Sequence, residues 1–263
     1  MGNIKTISEL NLGFSDAENY KRRENKELFN EIFFRNDYLD SLLKRNTFFL
    51  VGDKGTGKTA YSVFLSNNDY KSTNSLINYI RETDYRKFVT LKTEKNLQFS
   101  DYDRIWSVIL LLLLSKSITE KDLDHSVFSK PQKLRAITNA IDEYYLNAFT
   151  PEIISALKLI EDSKGTAELI LKFLKLSGQE TKTVSFDERK FIIHLDYIHR
   201  QFQDALKSIK LCNNKILFID GIDIRPTDVP YEDYINCIKG LAHAVWSLNN
   251  DFFPSIKDSQ GRL

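Results

Sequence analysis

The segment "FFLVGDKGTGKTAYSVFL", Phe48 to Leu65, constrains the fold more than any other stretch of this chain. Of ten glycines in 263 residues, three (Gly52, Gly55 and Gly57) fall within six positions and are followed at once by Lys58 and Thr59. Before them, Thr47–Val51 is a short apolar run bounded by Asn46, the profile of a strand buried on both faces of a parallel sheet. After them, "TAYSVFLSN" reads as a helix. Glycines allow successive backbone N–H groups to turn inward, and a helix beginning near Lys58 directs its positive dipole end to the same point. The bland alternative is a glycine-rich strand-to-helix turn that matches by chance.

The spacing fits G-x-x-x-x-G-K-[ST] in full, through Gly52, Asp53, Lys54, Gly55, Thr56, Gly57, Lys58 and Thr59, with Ala60 next on the helix. Such a loop cradles a nucleotide triphosphate: Lys58 reaches the β- and γ-phosphates and assists catalysis, and the Thr59 hydroxyl ligates Mg²⁺. ATP and Mg²⁺ are therefore the expected cofactors. The motif calls for a second feature, an acidic residue at the end of another buried strand. "ILFIDGID" supplies it, with Ile216–Ile219 ending in Asp220 and with Asp223 three positions on. In parallel sheets the C-terminal strand ends line the ligand crevice, so Asp220 is expected to hold Mg²⁺ directly or through water. The competing reading is a surface turn, where Asp-Gly is common.

The rest of the chain alternates helical and strand-like patterns. "KRRENKELFNEIFFRNDYLDSLLKRN" carries Leu28, Ile32, Leu39 and Leu43 at helical spacings, and "RKFVTLK", Arg86 to Lys92, is a second strand candidate. Ser100 and Asp103 form a capping-box pattern ahead of the Leu-rich "IWSVILLLLL". Pro131 opens a helix to about Phe149, and Thr150-Pro151 starts one that Gly165 stops. "TAELILKFLKLSG" gives another, with Gly178 as its stop; its "KLSGQE" resembles transporter and GTPase signatures only superficially. Ser185 and Glu188 cap a long amphipathic helix with Phe191, Leu195, Ile198, Phe202, Leu206 and Ile209 on one face. Pro230 opens a last helix through Tyr234, Ile238, Leu241, Val245 and Leu248.

Strands separated by helices predict an α/β fold: a parallel-sheet P-loop NTPase core of three αβα layers with a large helical insertion. The expected organisation is an N-terminal helical segment over 1–45, the first half of the core over 46–118, the insertion over 119–210 and the second half over 211–263. A net charge of +1 argues against a protein built around a polyanion, so nucleic acid is not indicated. Cys212 and Cys237 form neither a metal-ligand spacing nor a disulfide framework, which suits a reducing cytoplasm. No signal peptide is visible at Met1–Leu12, and Ile105–Leu114 is half the length of about 20 residues that a membrane span needs. His194 and His199 are five apart on one helix and make an unfavourable metal pair.

The Asp220, Gly221, Ile222 and Asp223 pattern resembles the Walker B motif of the NACHT and KAP branches of the STAND and AAA-like ATPases. "FFRNDYLDSLL" is similar to the F-x-G-R-x-x-x-L segment that precedes the P-loop there and helps form the adenine pocket. The chain also resembles the N-terminal part of bacterial P-loop ATPases with a helical insertion between the two Walker motifs. That resemblance implies a regulatory or defence-type, antiphage ATPase, with Asp223 positioning or activating water. Two departures stand out: Ile224 occupies the place of a common glutamate, and Phe34 directly precedes Arg35 where a glycine is usual. The resemblance also implies a strand after the Walker B segment, and no apolar run remains for it before "DSQGRL". A core incomplete at its C-terminal side is thus expected, with self-association or protein partners engaged through a missing C-terminal region. A nucleotide or small-molecule kinase and a non-hydrolysing ATP-binding scaffold are the alternatives.

Overall fold

The computed structural model describes residues 6, 13–79, 99–124, 130–147, 188–223, 225–227 and 229–256. The chain divides into two compact units, Met1–Ser75 and Leu76–Leu263. Among the described residues the fold mixes helices with one two-stranded parallel sheet, an arrangement compatible with the α/β class.

In the first unit, a 3₁₀ turn at Ala17–Lys21 leads to the helices α1 (Lys26–Ile32), α2 (Asp37–Ser41) and α3 (Lys58–Asn67). Rings hold it together. Tyr20 stacks on Phe29 at 4.6 Å, Phe29 touches Phe33 at 5.4 Å, and Phe33 stacks on Phe64 of α3 at 4.2 Å. Aromatic burial of this kind suits a small unit, because each ring removes a large apolar area from water. The buried face of α1 is thus Phe29, with Phe33 just beyond the helix. Ile32, on the expected stripe, is 56% exposed, and the expected continuous helical pattern breaks at Phe33–Asn36. A reciprocal amide pair closes the unit: Asn30 Nδ2 donates to Asn68 Oδ1 at 2.9 Å, and Asn68 Nδ2 to Asn30 Oδ1 at 2.8 Å.

Thr47–Val51 is not a strand. It carries no regular secondary structure, with Phe49 58% and Val51 88% exposed. The apolar pattern was compatible with a buried strand, but a parallel strand exists only through neighbours that pair its N–H and C=O groups. The two observed strands are β1 (Thr73–Tyr79), which carries the division between the units, and β2 (Asn214–Asp220). β2 falls where the sequence indicated; β1 was not anticipated.

The second unit is organised around α4 (Phe99–Lys116), the helix expected from the Leu-rich run. From Tyr102 to Leu113 nearly every side chain of α4 is buried, which explains a sequence apolar all round. It packs against α6 (Glu188–Lys207) and α7 (Tyr231–Ser247), and α5 (Lys130–Asn147) joins them. The stripe of α6 is buried as expected at Leu195, Ile198 and Phe202, each at 0% exposure. Gly240 of α7 meets α4 where a Cβ would lie 2.6 Å from Tyr102 Cβ, so only hydrogen fits at that crossing. Trp106 Nε1 ties the same two helices by donating to the Cys237 carbonyl at 3.1 Å.

Ser100 lies inside α4 and not at its N-cap, since Phe99 is already helical. Pro131 sits at the second residue of α5, as its fixed φ favours. The helical block expected over 119–210 contributes its described helices, α5 and α6, to the same hydrophobic core as α4 and α7. The strand at Arg86–Lys92, the helices over 151–165 and 166–178 and the Ser185 cap lie outside the described residues.

Candidate functional site

The glycine-rich loop is built from three glycines with different duties. Gly55 and Gly57 adopt φ of +85° and +88°, the left-handed region that L side chains rarely enter. Gly52 has no such φ, but a Cβ there would meet Thr56 Oγ1 at 2.7 Å. The loop folds on itself through Thr56, whose N–H and hydroxyl both donate to the Asp53 carbonyl, at 3.3 and 2.8 Å. Gly57 is the N-cap of α3 and offers no side-chain oxygen to the first helical N–H groups. The first N–H groups of a helix suit an anion.

Lys58 returns over the loop. Its Nζ donates to the Gly52 carbonyl at 2.7 Å and to the Asp53 carbonyl at 3.0 Å. The ammonium is thus held at the mouth of the loop by neutral carbonyls, which a phosphate can replace with stronger charge-assisted bonds. Gly52 to Thr56 is exposed, including Asp53 and Lys54, while Gly57, Lys58, Thr59 and Ala60 are half-buried at the start of α3. The structure therefore brings the whole set Gly52–Ala60 into one strap around the helix start.

The segment preceding the loop is fastened to α3. Asn36 Nδ2 donates to the Tyr61 hydroxyl at 2.7 Å, Tyr61 donates back to Asn36 Oδ1 at 3.0 Å, and the Arg35 guanidinium lies 5.2 Å from the Phe64 ring centre. Asn36 and Tyr61 were not singled out from sequence, since neither carries a motif; only their shared packing reveals them.

Asp220 and Asp223 belong to the second unit. Asp220 ends β2 half-buried, and its Oδ1 accepts from the Gly221 N–H at 2.8 Å, while Gly221 turns the chain with φ +86°. Asp223 is exposed in the turn that follows. The turn is anchored from α7, where the Tyr234 hydroxyl donates to the Ile222 carbonyl. Burial first, and the Asp223 charge second, push the Tyr234 hydroxyl above its ordinary pKa, so it remains a donor. Arg225 donates to the Val229 carbonyl at 2.6 Å, an anchor for the same loop.

The loop's donors and Lys58 fit a polyphosphate, and the hard oxygens of Thr59 and Asp220 are the donor type that Mg²⁺ takes. Among the described residues no three His, Cys, Asp or Glu side chains converge as a metal site. Cys237 is not a candidate nucleophile: burial raises its thiol to about 12. No helix among the described residues is long and apolar enough to cross a membrane. Compared with known proteins, the chain matches no family model, no curated protein and no solved structure.

Proposed function

We propose that this chain binds ATP with Mg²⁺ through the Gly52–Thr59 loop and acts as a P-loop ATPase whose nucleotide state switches a larger assembly. The observation that carries this reading is the loop itself: two left-handed glycines, a helix start without a side-chain cap, and Lys58 folded across the loop carbonyls. In this reading the loop N–H groups and Lys58 would hold the β- and γ-phosphates, and the Thr59 hydroxyl would hold the metal. Asp223 orients the attacking water, and Asn36 and Tyr61 brace the segment beside the helix. The metal supplies charge neutralisation between the phosphates when bound.

The test is calorimetric titration with ATP and Mg²⁺ of the parent chain and of Lys58→Ala. Loss of a charge-assisted phosphate contact is expected to weaken binding by about tenfold or more. Equal affinity in the two chains sinks the phosphate-cradle reading. Phosphate release is then followed for the parent and for Asp223→Asn, with turnover expected to fall while ATP affinity stays within about threefold. Ile224, standing where a glutamate would complete the hydrolytic motif, favours one second reading: a scaffold that binds ATP without turnover. Tight ATP binding with no phosphate release by the parent would establish that second reading over the first.

A further inference from the structure

The chain leaves α3 through a four-residue turn, Tyr70 to Thr73, whose two centre residues carry positive φ: Lys71 at 50° and Ser72 at 56°. Among the described residues these are the non-glycine positions with that sign. The turn closes from both sides. The Tyr70 N–H donates to the Thr73 carbonyl at 3.3 Å, and the Thr73 N–H donates to the Tyr70 carbonyl at 3.0 Å. Such centre positions ordinarily take Asn or Gly, because a Cβ is crowded there. A Lys-Ser pair is therefore strained, and strained backbone persists only where surrounding contacts over-determine it.

One residue of α2 supplies those contacts. Asp40 Oδ1 accepts from the Tyr70 hydroxyl at 3.0 Å, and Asp40 Oδ2 accepts from the Lys71 ammonium at 2.7 Å. The Lys71 ammonium first, and the Tyr70 hydroxyl second, hold the Asp40 carboxyl below its ordinary pKa. Both partners of the ion pair are exposed, so water can compete for it and the contact opens readily. α2 has two further holds. Asn36, its N-cap, exchanges hydrogen bonds with Tyr61, the fourth residue of α3. The Ser41 carbonyl accepts from the Thr47 hydroxyl at 2.8 Å, on the segment that enters the glycine-rich loop. One short helix thus holds the entry to the loop, the start of α3 and the exit from α3.

We propose that the Tyr70–Thr73 turn is a latched switch for the Gly52–Thr59 loop: Asp40 keeps the strained turn closed, and α2 carries that state to the start of α3. The inference rests on the nucleotide reading and names its regulatory element. With the latch closed, α2 keeps Asn36 on Tyr61 and the start of α3 is fixed against the loop. With the latch open, the turn relaxes, α2 loses its hold at one end, and the loop is less preorganised for phosphate. By linkage, a ligand on the loop favours the latched turn in the same measure.

The test is calorimetric titration of the full chain and its variants with ATP and Mg²⁺, with exchange of the Thr73 amide followed in parallel. Asp40→Asn is expected to weaken ATP binding by about fivefold. Direct electrostatics predicts the opposite sign, since loss of a carboxylate favours a polyanion. Glycine takes positive φ without strain, so adding Ser72→Gly to Asp40→Asn is expected to restore affinity to within about twofold of the parent. Glu31→Gln, at an exposed carboxylate of α1, should leave affinity unchanged. ATP should slow Thr73 amide exchange in the parent and not in Asp40→Asn. An Asp40→Asn chain that binds ATP as tightly as the parent overturns the latch alone, as does a double variant that recovers nothing. Thr73 exchange unchanged by bound ATP in the parent also overturns it. A parent chain that binds no ATP overturns the nucleotide reading and the latch with it.

Discussion

Gly55 and Gly57 were legible from spacing alone because the property that selects them is local: each needs a φ that a side chain disfavours. Asp122 and Lys215 were not legible, since 93 positions of sequence separate a pair whose Nζ and Oδ1 lie 2.6 Å apart and nearly out of solvent. Burial works against a charged Asp122, but the Lys215 ammonium and the two donors of Thr119 offset it and hold the carboxyl below its ordinary value. In the acid window the unfolded chain takes the proton first, so this contribution is present above the unfolded pKa and lost as pH falls through the folded one. His199 shifts downward through burial, and again the unfolded chain binds the proton more readily. Stability is therefore expected to fall on acidification in two steps, one below about pH 6.5 and one below about pH 4. Urea midpoints across pH check this: His199→Gln should flatten the first step and Asp122→Asn the second. Asp122→Asn should also cost about 3 kcal/mol at neutral pH, because Lys215 loses its counter-ion in a buried place.

Helices proved more readable than strands, and α4, α6 and α7 show why. Each carries an apolar pattern long enough to mark both its existence and its buried side, and the stripe read for α6 is the face that packs. α1 shows the limit: over seven residues the Leu28–Ile32 pattern competes with Phe29–Phe33, and stacking on α3 decides for the rings. Strand pairing is a tertiary event, so Thr47–Val51 resembled a strand without becoming one, while β1 pairs without a strong pattern. The crossing of α4 and α7 depends on Gly240. Gly240→Ala gains about 1 kcal/mol of helix propensity but forces a methyl against the Tyr102 Cβ and the backbone of α4. A net loss of about 1–2 kcal/mol is expected in a urea melt, and a rise in stability would show that the helices separate freely.

At the scale of the whole chain, the loop belongs to the first unit, and Asp220 and Asp223 belong to the second. This makes the response to ligand informative. Saturating ATP with Mg²⁺ is expected to slow amide exchange first in α3 and the loop, with about 2.7 kcal/mol of protection at a hundredfold excess over Kd. Protection at β2 and its turn would tie Asp220 and Asp223 to the bound nucleotide. Protection confined to α4 and α6 would contradict the proposed site. The sequence by itself determined the loop conformation, the end of β2 at an acidic pair and the amphipathic helices, because each rests on φ preference, spacing or periodicity within a few residues. Only the tertiary structure decided that Thr47–Val51 stays unpaired, that α4 forms the centre of a helical core, and that Asp40 meets Tyr70 and Lys71. Those outcomes depend on which distant surfaces meet, and burial and hydrogen-bond partners exist only once they have met.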